Sequence, residues 1–202
     1  MKTLYLDTAY NQVIGICDER GEWLGLQHSS GQRSSISLHQ CIHSLCVQNK
    51  VSPESIGRVV YLAGPGFYTG LRIGYGVAQI MKLTGVMAQS FYSFDVPKIL
   101  GRPDYLWITK AYRGEVFVYN SKDRTSKLVN ESDFLAQGWT GEIYIHHLAA
   151  LDEKMKLKLE HAKSTESLIT DNFQIIISSL GQAIEQPLHY FREPEEEFRP
   201  NA

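Results

Sequence analysis

A glycine-rich segment between a predicted strand and a predicted helix constrains this chain more than any other feature. It reads GPGFYTGLRIG and spans residues 64–74. The apolar run at 58–63 before it is typical of a buried strand, and residues 69–83 favour a helix. Glycines in such a turn allow positive φ and the close approach of a second backbone. The free N–H groups of a helix that begins there can bind an anion or a partner's carboxylate.

Two common phosphate-binding motifs do not describe this turn. A P-loop requires a Gly-Lys pair at a set distance, and neither Gly64 nor Gly66 is followed by one. A dinucleotide fingerprint requires GxGxxG, whereas Gly70 comes one position late. The turn therefore predicts a tight packing site or an anion contact of another kind. The candidate contacts to a nucleotide or an anion are Asp7, Gly64, Gly66, Thr69 and Arg72.

The composition indicates an ordinary globular protein of a reducing compartment. Hydrophobic residues make up 43% and charged residues 21% of the 202 positions, with a net charge of −2. This charge argues against binding nucleic acid by bulk electrostatics. The chain has three cysteines, a small and odd number that does not suit a disulfide scaffold. No apolar run is long enough to span a membrane. We expect a cytoplasmic location.

The order of predicted elements favours a mixed sheet covered by helices. Three strands in hairpin order come first, followed by helix, strand, helix and strand. The helices are predicted at 34–48 and 69–83. Glycine and proline at 101–103 suggest a boundary, which gives domains 1–100 and 101–202. The second domain has fewer strong elements and is expected to be abbreviated, with a mobile tail at 194–202.

Three potential metal ligands lie on the first predicted helix. His39, His43 and Cys46 follow the spacing i, i+4, i+7 and would share one face. Zinc sites usually draw ligands from more than one element, and Leu38, Ile42 and Leu45 form an apolar stripe beside them. We therefore expect a helix at a core edge or a subunit interface, and no metal.

Several motifs resemble those of the TsaB (YeaZ) family. GPGFYTGLRIG resembles the family signature GPGSFTGLRIG. The opening LYLDT at 4–8, the segment AYRGEVF at 111–117 and the ending PLHYFREPE at 187–195 also resemble family motifs. Between 121 and 186 we find no family motif.

The resemblance implies the actin-like ATPase (ribonuclease H-like) fold and a non-catalytic role. TsaB-like proteins bind the catalytic subunit TsaD, with the ATPase TsaE, in the modification of tRNA to threonylcarbamoyl-adenosine. The resemblance implies a TsaD-like partner, a TsaE-like ATPase, a homodimer in isolation and contact with tRNA only through the complex. No tightly bound cofactor is expected, and weak ATP or ADP binding at the partner interface is left open.

The same resemblance places the interface on the two helices of the first domain. The predicted interface residues are Leu38, Ile42, Leu45, Gly70, Gly74 and Gly76. Gly76 and Val77 are expected to lie on faces other than that of Gly70 and Gly74, so part of the bare surface should face outward.

The sequence leaves open the roles of Asp7 and Arg72, and two alternative functions of the chain. Asp7 either orients magnesium, as in active members of the superfamily, or caps a turn. Arg72 either binds a phosphate or a partner's acid, or lies along the helix surface. An active small-molecule kinase or carbamoyl-transferase of the same fold is the main alternative function. Against it, the chain has no acid at 110–114, where active members of the superfamily carry their second one, and no Gly-Gly turn after residue 121. A direct tRNA-binding module would require a basic stripe with exposed aromatic residues.

Overall fold

The computed structural model describes residues 1–29, 35–112, 114–148, 151–181 and 185–192. The chain divides into two compact units, one formed by Met1–Tyr92 with Ile177–Ala202 and the other by Ser93–Ile176. This division differs from the predicted domains 1–100 and 101–202, because the last part of the chain returns to the first unit. The tail at 194–202, predicted to be mobile, lies outside the described residues.

The first unit contains a five-stranded sheet and two long helices within its described residues. Small shifts at the ends aside, the predicted elements of the first half are confirmed. The bounds are β1 Lys2–Asp7, β2 Gln12–Cys17, β3 Trp23–Ser29, α1 Ser35–Gln48, β4 Ile56–Leu62, α2 Tyr68–Leu83 and β5 Met87–Phe91.

The first sheet is mixed and has the order β3-β2-β1-β4-β5. The central strand β1 pairs antiparallel with β2 and parallel with β4. Leu6 of β1 pairs with Ile14 on one side and Tyr61 on the other, and all three are buried. Both faces of this strand are covered. All its residues after Lys2 are therefore buried, and its middle, Leu4 to Leu6, is apolar without alternation.

The end of α2 has a clear local cause. Gly85 adopts φ of 87°, a left-handed conformation that glycine tolerates best. The N–H groups of Gly85 and Val86 donate to the carbonyl oxygens of Lys82 and Met81 at 3.1 and 3.2 Å. These bonds satisfy the last carbonyls of the helix and redirect the chain into β5.

The second unit contains its own five-stranded sheet in the part of the chain that the structure describes. Its elements are α3 Val96–Ile99, β6 Tyr105–Lys110, β7 Glu115–Asn120, β8 Thr125–Asn130, α4 Glu131–Ala136, β9 Glu142–His146, α5 Glu153–Lys158, β10 Lys163–Ser164 and α6 Thr165–Ser179. The last three residues of α6 belong to the first unit. Trp107 lies at the centre of this unit with 0% exposure, and its indole N–H donates to Thr165 Oγ1 at 3.0 Å.

The second sheet repeats the topology of the first. Its order is β10-β9-β6-β7-β8, with β6-β7 and β7-β8 antiparallel and β6-β9 and β9-β10 parallel. The central strand thus has the same neighbours in the same senses as β1. The repeat confirms the predicted fold class, and the abbreviation lies in the two-residue β10 and the six-residue helices α4 and α5. In the described residues, no helix combines the length and the apolar character needed to cross a bilayer.

Candidate functional site

The glycine-rich turn joins β4 to α2 and packs against the chain's own C-terminal segment. Gly64 adopts φ of 120°, which residues with a side chain rarely adopt. A Cβ at this position would also clash with the carbonyl oxygen of His189. Glycine is therefore required here for both its conformation and its lack of a side chain.

Residues 185–192, which we call the C-terminal strap, bind the turn by backbone hydrogen bonds. The N–H of His189 donates to the Ala63 carbonyl at 2.8 Å, and the N–H of Gly66 donates to the His189 carbonyl at 3.2 Å. The N–H of Phe191 then donates to the Gly66 carbonyl at 3.3 Å. The turn glycines were predicted to allow the close approach of a second backbone. That backbone is the strap of the same chain.

The remaining glycines of the turn admit the loop between β1 and β2. A Cβ at Gly66 would lie 2.8 Å from the Cβ of Ala9. A Cβ at Gly70 would clash with the Thr8 carbonyl oxygen, and one at Gly74 with the Thr8 hydroxyl. The first two turns of α2 therefore lie directly on this loop.

Asp7 caps the same loop. Its side chain is 1% exposed, and Oδ1 accepts a hydrogen bond from the Ala9 N–H at 3.0 Å. The N–H groups of Gly66 and Phe67 donate to the chain's own carbonyls, those of His189 and Ala9. A nucleotide or anion contact at Asp7 and the turn stays a prediction, and these two N–H groups are already bonded.

Glu185 attaches the start of the strap to β4 and α2. Its carboxylate accepts hydrogen bonds from the Tyr61 hydroxyl at 3.1 Å and from Gln79 Nε2 at 2.6 Å. It also forms an ion pair with Lys82. Burial opposes ionisation of Glu185, but the hydrogen bonds from Lys82, Gln79 and Tyr61 outweigh it and hold its pKa below the usual value.

We expect acid to release the strap from the glycine turn. Burial lowers the pKa of His189 below its ordinary 6.5. As the pH falls below 6.5, the imidazole is protonated more readily in the released strap than in the bound one, so the free energy that holds the strap on the turn decreases. The depressed pKa of Glu185 stabilises the strap above pH 4.5, and this contribution is lost as the pH falls through the lower pKa of the bound state. The protection of the Gly66 amide against hydrogen exchange, measured by NMR at decreasing pH, should therefore fall in two steps.

Two variants separate the steps. His189→Gln should remove the step near neutral pH, and Glu185→Gln should remove the step below pH 4.5. Glu22→Gln, on an exposed turn, is the matched control. Unchanged Gly66 protection across this range would contradict the assignment.

Aromatic contacts connect the strap to the first turn of α2. The ring centroids of Tyr68 and Tyr190 lie 4.9 Å apart, and those of Phe67 and Phe191 lie 5.3 Å apart. The Arg72 guanidinium lies over the Tyr68 ring, 5.5 Å from its centroid. The strap therefore supports the side of α2 that carries Arg72.

A groove lies between α1 and α2 on the outer surface of the first unit. Its volume is about 440 Å³. It is lined by His39, Tyr68, Thr69, Arg72, Ile73, Gly76, Val77 and Ile80. Ile80 is 60% exposed, and a Cβ at Gly76 would meet no atom within 4 Å. An open apolar surface of this kind is suited to receive another molecule.

The structure corrects part of the predicted interface. Leu38 and Leu45 are 0% and 3% exposed and belong to the core of the first unit. Gly70 and Gly74 face the β1-β2 loop, as described above. None of these four can contact a partner, because the chain's own sheet and loop cover them.

Two predicted interface residues retain access to solvent. Ile42 is half-buried at the edge of the core, and Gly76 lies open in the groove. The expectation that Gly76 faces outward is therefore confirmed, whereas Val77, expected beside it, is 7% exposed and packs in the core.

The potential metal ligands on α1 do not converge. His39 and His43 are exposed, whereas Cys46 is 3% exposed and packs in the core. Burial raises the pKa of the Cys46 thiol, which disfavours the thiolate that a metal requires. The expected absence of a metal stays a prediction for elemental analysis.

Comparison with known proteins gives matches in both sequence and structure. The family model of TsaD, a tRNA N6-adenosine threonylcarbamoyltransferase, matches residues 28–85, which include α1, the glycine turn and α2. A search of curated proteins finds no match.

Two solved structures from Pseudomonas aeruginosa align over almost their whole length. One is an uncharacterized protein with similarity to the peptidase YeaZ, with TM-score 0.62 and 15% identity over 95% of this chain and 99% of that one. The other is YeaZ itself, with TM-score 0.57 and 15% identity over 90% of this chain and 95% of that one. The chain has the YeaZ fold. The resemblance predicted from the sequence motifs is thus confirmed in the fold.

Some residues of this YeaZ-fold site were not found from the sequence. The ending PLHYFREPE was identified as a motif, but its pairing with the glycine turn was not predicted. Glu185, which precedes that motif, had no signal, because a single glutamate outside a periodic element predicts no partner. Ile80 lay within the predicted helix and Tyr68 directly before it, and their exposure depended on which face α1 left uncovered.

Proposed function

We propose that this chain is a TsaB-type scaffold or regulatory subunit. It binds a TsaD-like catalytic subunit, together with a TsaE-like ATPase, for the threonylcarbamoyl-adenosine modification of tRNA. In this role the chain is non-catalytic, works in the cytoplasm and reaches tRNA only through the complex.

The observation that carries the proposal is the combination of a YeaZ fold with a TsaD-family match. The fold extends over 95% of the chain at TM-score 0.62. The family match falls on residues 28–85, the part that builds the groove between α1 and α2. The YeaZ motifs at both ends of the chain support the same assignment.

The groove is the proposed contact surface for the TsaD-like subunit. It combines exposed apolar side chains with the bare backbone at Gly76, which allows a partner helix to approach closely. The same surface serves a homodimer when the partner is absent. Isolated exposed apolar residues are ordinary, but a contiguous groove on one helix pair is typical of an interaction site.

A reconstitution experiment tests the proposal. The purified chain is combined with the TsaD-like and TsaE-like proteins of the same cell, tRNA and the threonylcarbamoyl donor. We expect modified adenosine only when the chain is present, and a complex that elutes together on size exclusion. Full modification without the chain, or no complex with the TsaD-like protein, would overturn the proposal.

A second prediction concerns the chain alone. It should neither hydrolyse ATP nor modify tRNA above background, because phosphoryl transfer needs several groups that position metal and phosphates together. Turnover that persists through repurification and is lost in Asp7→Ala would favour the active kinase or carbamoyl-transferase instead. Asp18→Ala, on the β2-β3 turn, is the control for a general loss of folding.

A further inference from the structure

Neither α1 nor α2 contributes an acidic residue to the surface that the two helices form. The sequences of Ser35–Gln48 and Tyr68–Leu83 contain neither aspartate nor glutamate. Their charged side chains are Arg72 and Lys82, with His39 and His43 in addition. The groove is therefore apolar in its floor and cationic or neutral at its edges.

Arg72 is the cation of this surface that remains available. Lys82 lies in the ion pair with Glu185 on the strap. Arg72 is exposed, lines the groove and lies over the Tyr68 ring. Within the described residues, the salt bridges do not include Arg72. Stacking on tyrosine orients a guanidinium while leaving its donors able to bind a carboxylate.

The ring under Arg72 is itself held in position. Tyr68 contacts Tyr190 of the strap at 4.9 Å, and the strap pairs with the glycine turn. A pre-oriented arginine loses less conformational freedom on binding than a free surface side chain. Arg72 is thus placed as a fixed cation at the edge of an apolar groove.

We propose that this groove binds an apolar helix that carries a carboxylate, contributed by a different chain, and that Arg72 selects it. The inference rests on the proposed function, since the different chain is then the TsaD-like subunit. The apolar floor supplies contact area, and Arg72 supplies charge complementarity, which governs partner choice and association rate.

A second copy of this chain is a poorer occupant of the same groove. In a two-fold dimer through α1 and α2, each helix pair meets its own copy. Neither helix offers Arg72 a carboxylate, and the nearby Glu185 is already paired with Lys82. Like charges brought together oppose association. Self-association through this surface is therefore weaker than binding of an acidic partner.

The two kinds of association have opposite salt dependence, which provides the test. Salt screens attraction between Arg72 and a carboxylate, so the heterodimer should weaken as the salt concentration rises. Salt also screens repulsion between like charges, so any homodimer should strengthen. Titration calorimetry with the TsaD-like protein and sedimentation of the chain alone, over the same salt series, measure both trends.

Matched charge reversals locate the effect. Arg72→Glu should weaken the heterodimer by at least about tenfold and remove most of its salt dependence. Arg20→Glu, an equal change on the exposed β2-β3 turn, should leave both unchanged. Circular dichroism confirms that each variant folds.

The outcomes separate the two proposals. If the wild-type chain does not bind the TsaD-like protein, the proposed function fails and the inference fails with it. If binding occurs but is insensitive to salt and to Arg72→Glu, the function stands and the inference is overturned. A tight homodimer that weakens with salt would also overturn it.

The chain's own glutamates could also supply a carboxylate to Arg72, and a shortened variant tests this alternative. Residues 193–197 contain four glutamates and follow the strap directly. A chain ending at Arg192 should retain the full effect of Arg72→Glu on partner binding. Loss of that effect in the shortened chain would assign the groove to the chain's own tail and overturn the inference.

Discussion

Gly70→Ala is expected to destabilise the first unit by about 2–3 kcal/mol, the upper part of the range typical of an overpacked site. The added Cβ would clash with the carbonyl oxygen of Thr8, which is backbone and cannot rotate away. Either α2 or the β1-β2 loop must shift, and the loop is fixed by the Asp7 cap. The midpoint of thermal unfolding should fall by roughly 5–10 °C, measured by circular dichroism.

Gly76→Ala is the matched control for this prediction. It makes the same chemical change in the same helix, but its Cβ would meet no atom within 4 Å. Alanine is favoured over glycine in a helix by about 1 kcal/mol, so this variant should be as stable as the wild type or more so. Equal stabilities for the two variants would show that the contact with Thr8 does not set the position of α2.

Gly76→Trp is expected to abolish association through the groove while leaving the fold intact. The indole would extend from an open position into the space of about 440 Å³ between α1 and α2. A partner helix could then no longer approach the bare backbone. We expect binding to the TsaD-like protein to weaken by at least about a hundredfold, equivalent to roughly 2.8 kcal/mol. Light scattering and a pull-down measure this loss.

Gly138→Trp provides the comparison for that experiment. Gly138 belongs to the second unit, and a Cβ there would also meet no atom within 4 Å. This variant should bind the partner as the wild type does, which separates the place of the tryptophan from its mere presence. A folded Gly76→Trp variant that binds with wild-type affinity would refute the groove as the interface.

The local elements of the first unit could be predicted because each has a strong signal of its own. After Arg58, the run to residue 63 is apolar on both faces, as an interior strand requires, and 69–83 lacks any helix-breaking proline. Gly85 marks the end of α2 by a conformation that favours glycine. In the second unit, the sequence gives no strand signal for β8, because Thr125–Asn130 is mostly exposed and polar, and it gains order from pairing with β7.

The site was predicted less completely than the fold. Gly64, Gly66 and Gly70 were identified as positions of close backbone approach, and the structure places His189, Ala9 and Thr8 there. Which backbone would approach could not be inferred, because residue 189 is far from the turn along the chain. Likewise, Leu38 and Ile42 look alike in a helical pattern, and only the position of the sheet decides that Leu38 is in the core.

The sequence by itself determined the glycine positions, the alternation of strands and helices, and the absence of acids on α1 and α2. These properties are local: they depend on side-chain size, backbone freedom and charge, which any reader of the chain can identify. The tertiary structure alone decided which glycines are covered and which is open. It also decided that the C-terminal strap holds the turn and that Arg72 lies at the edge of a groove. Those facts depend on contacts between segments distant in sequence, whose pairing is selected by the packing of the whole unit.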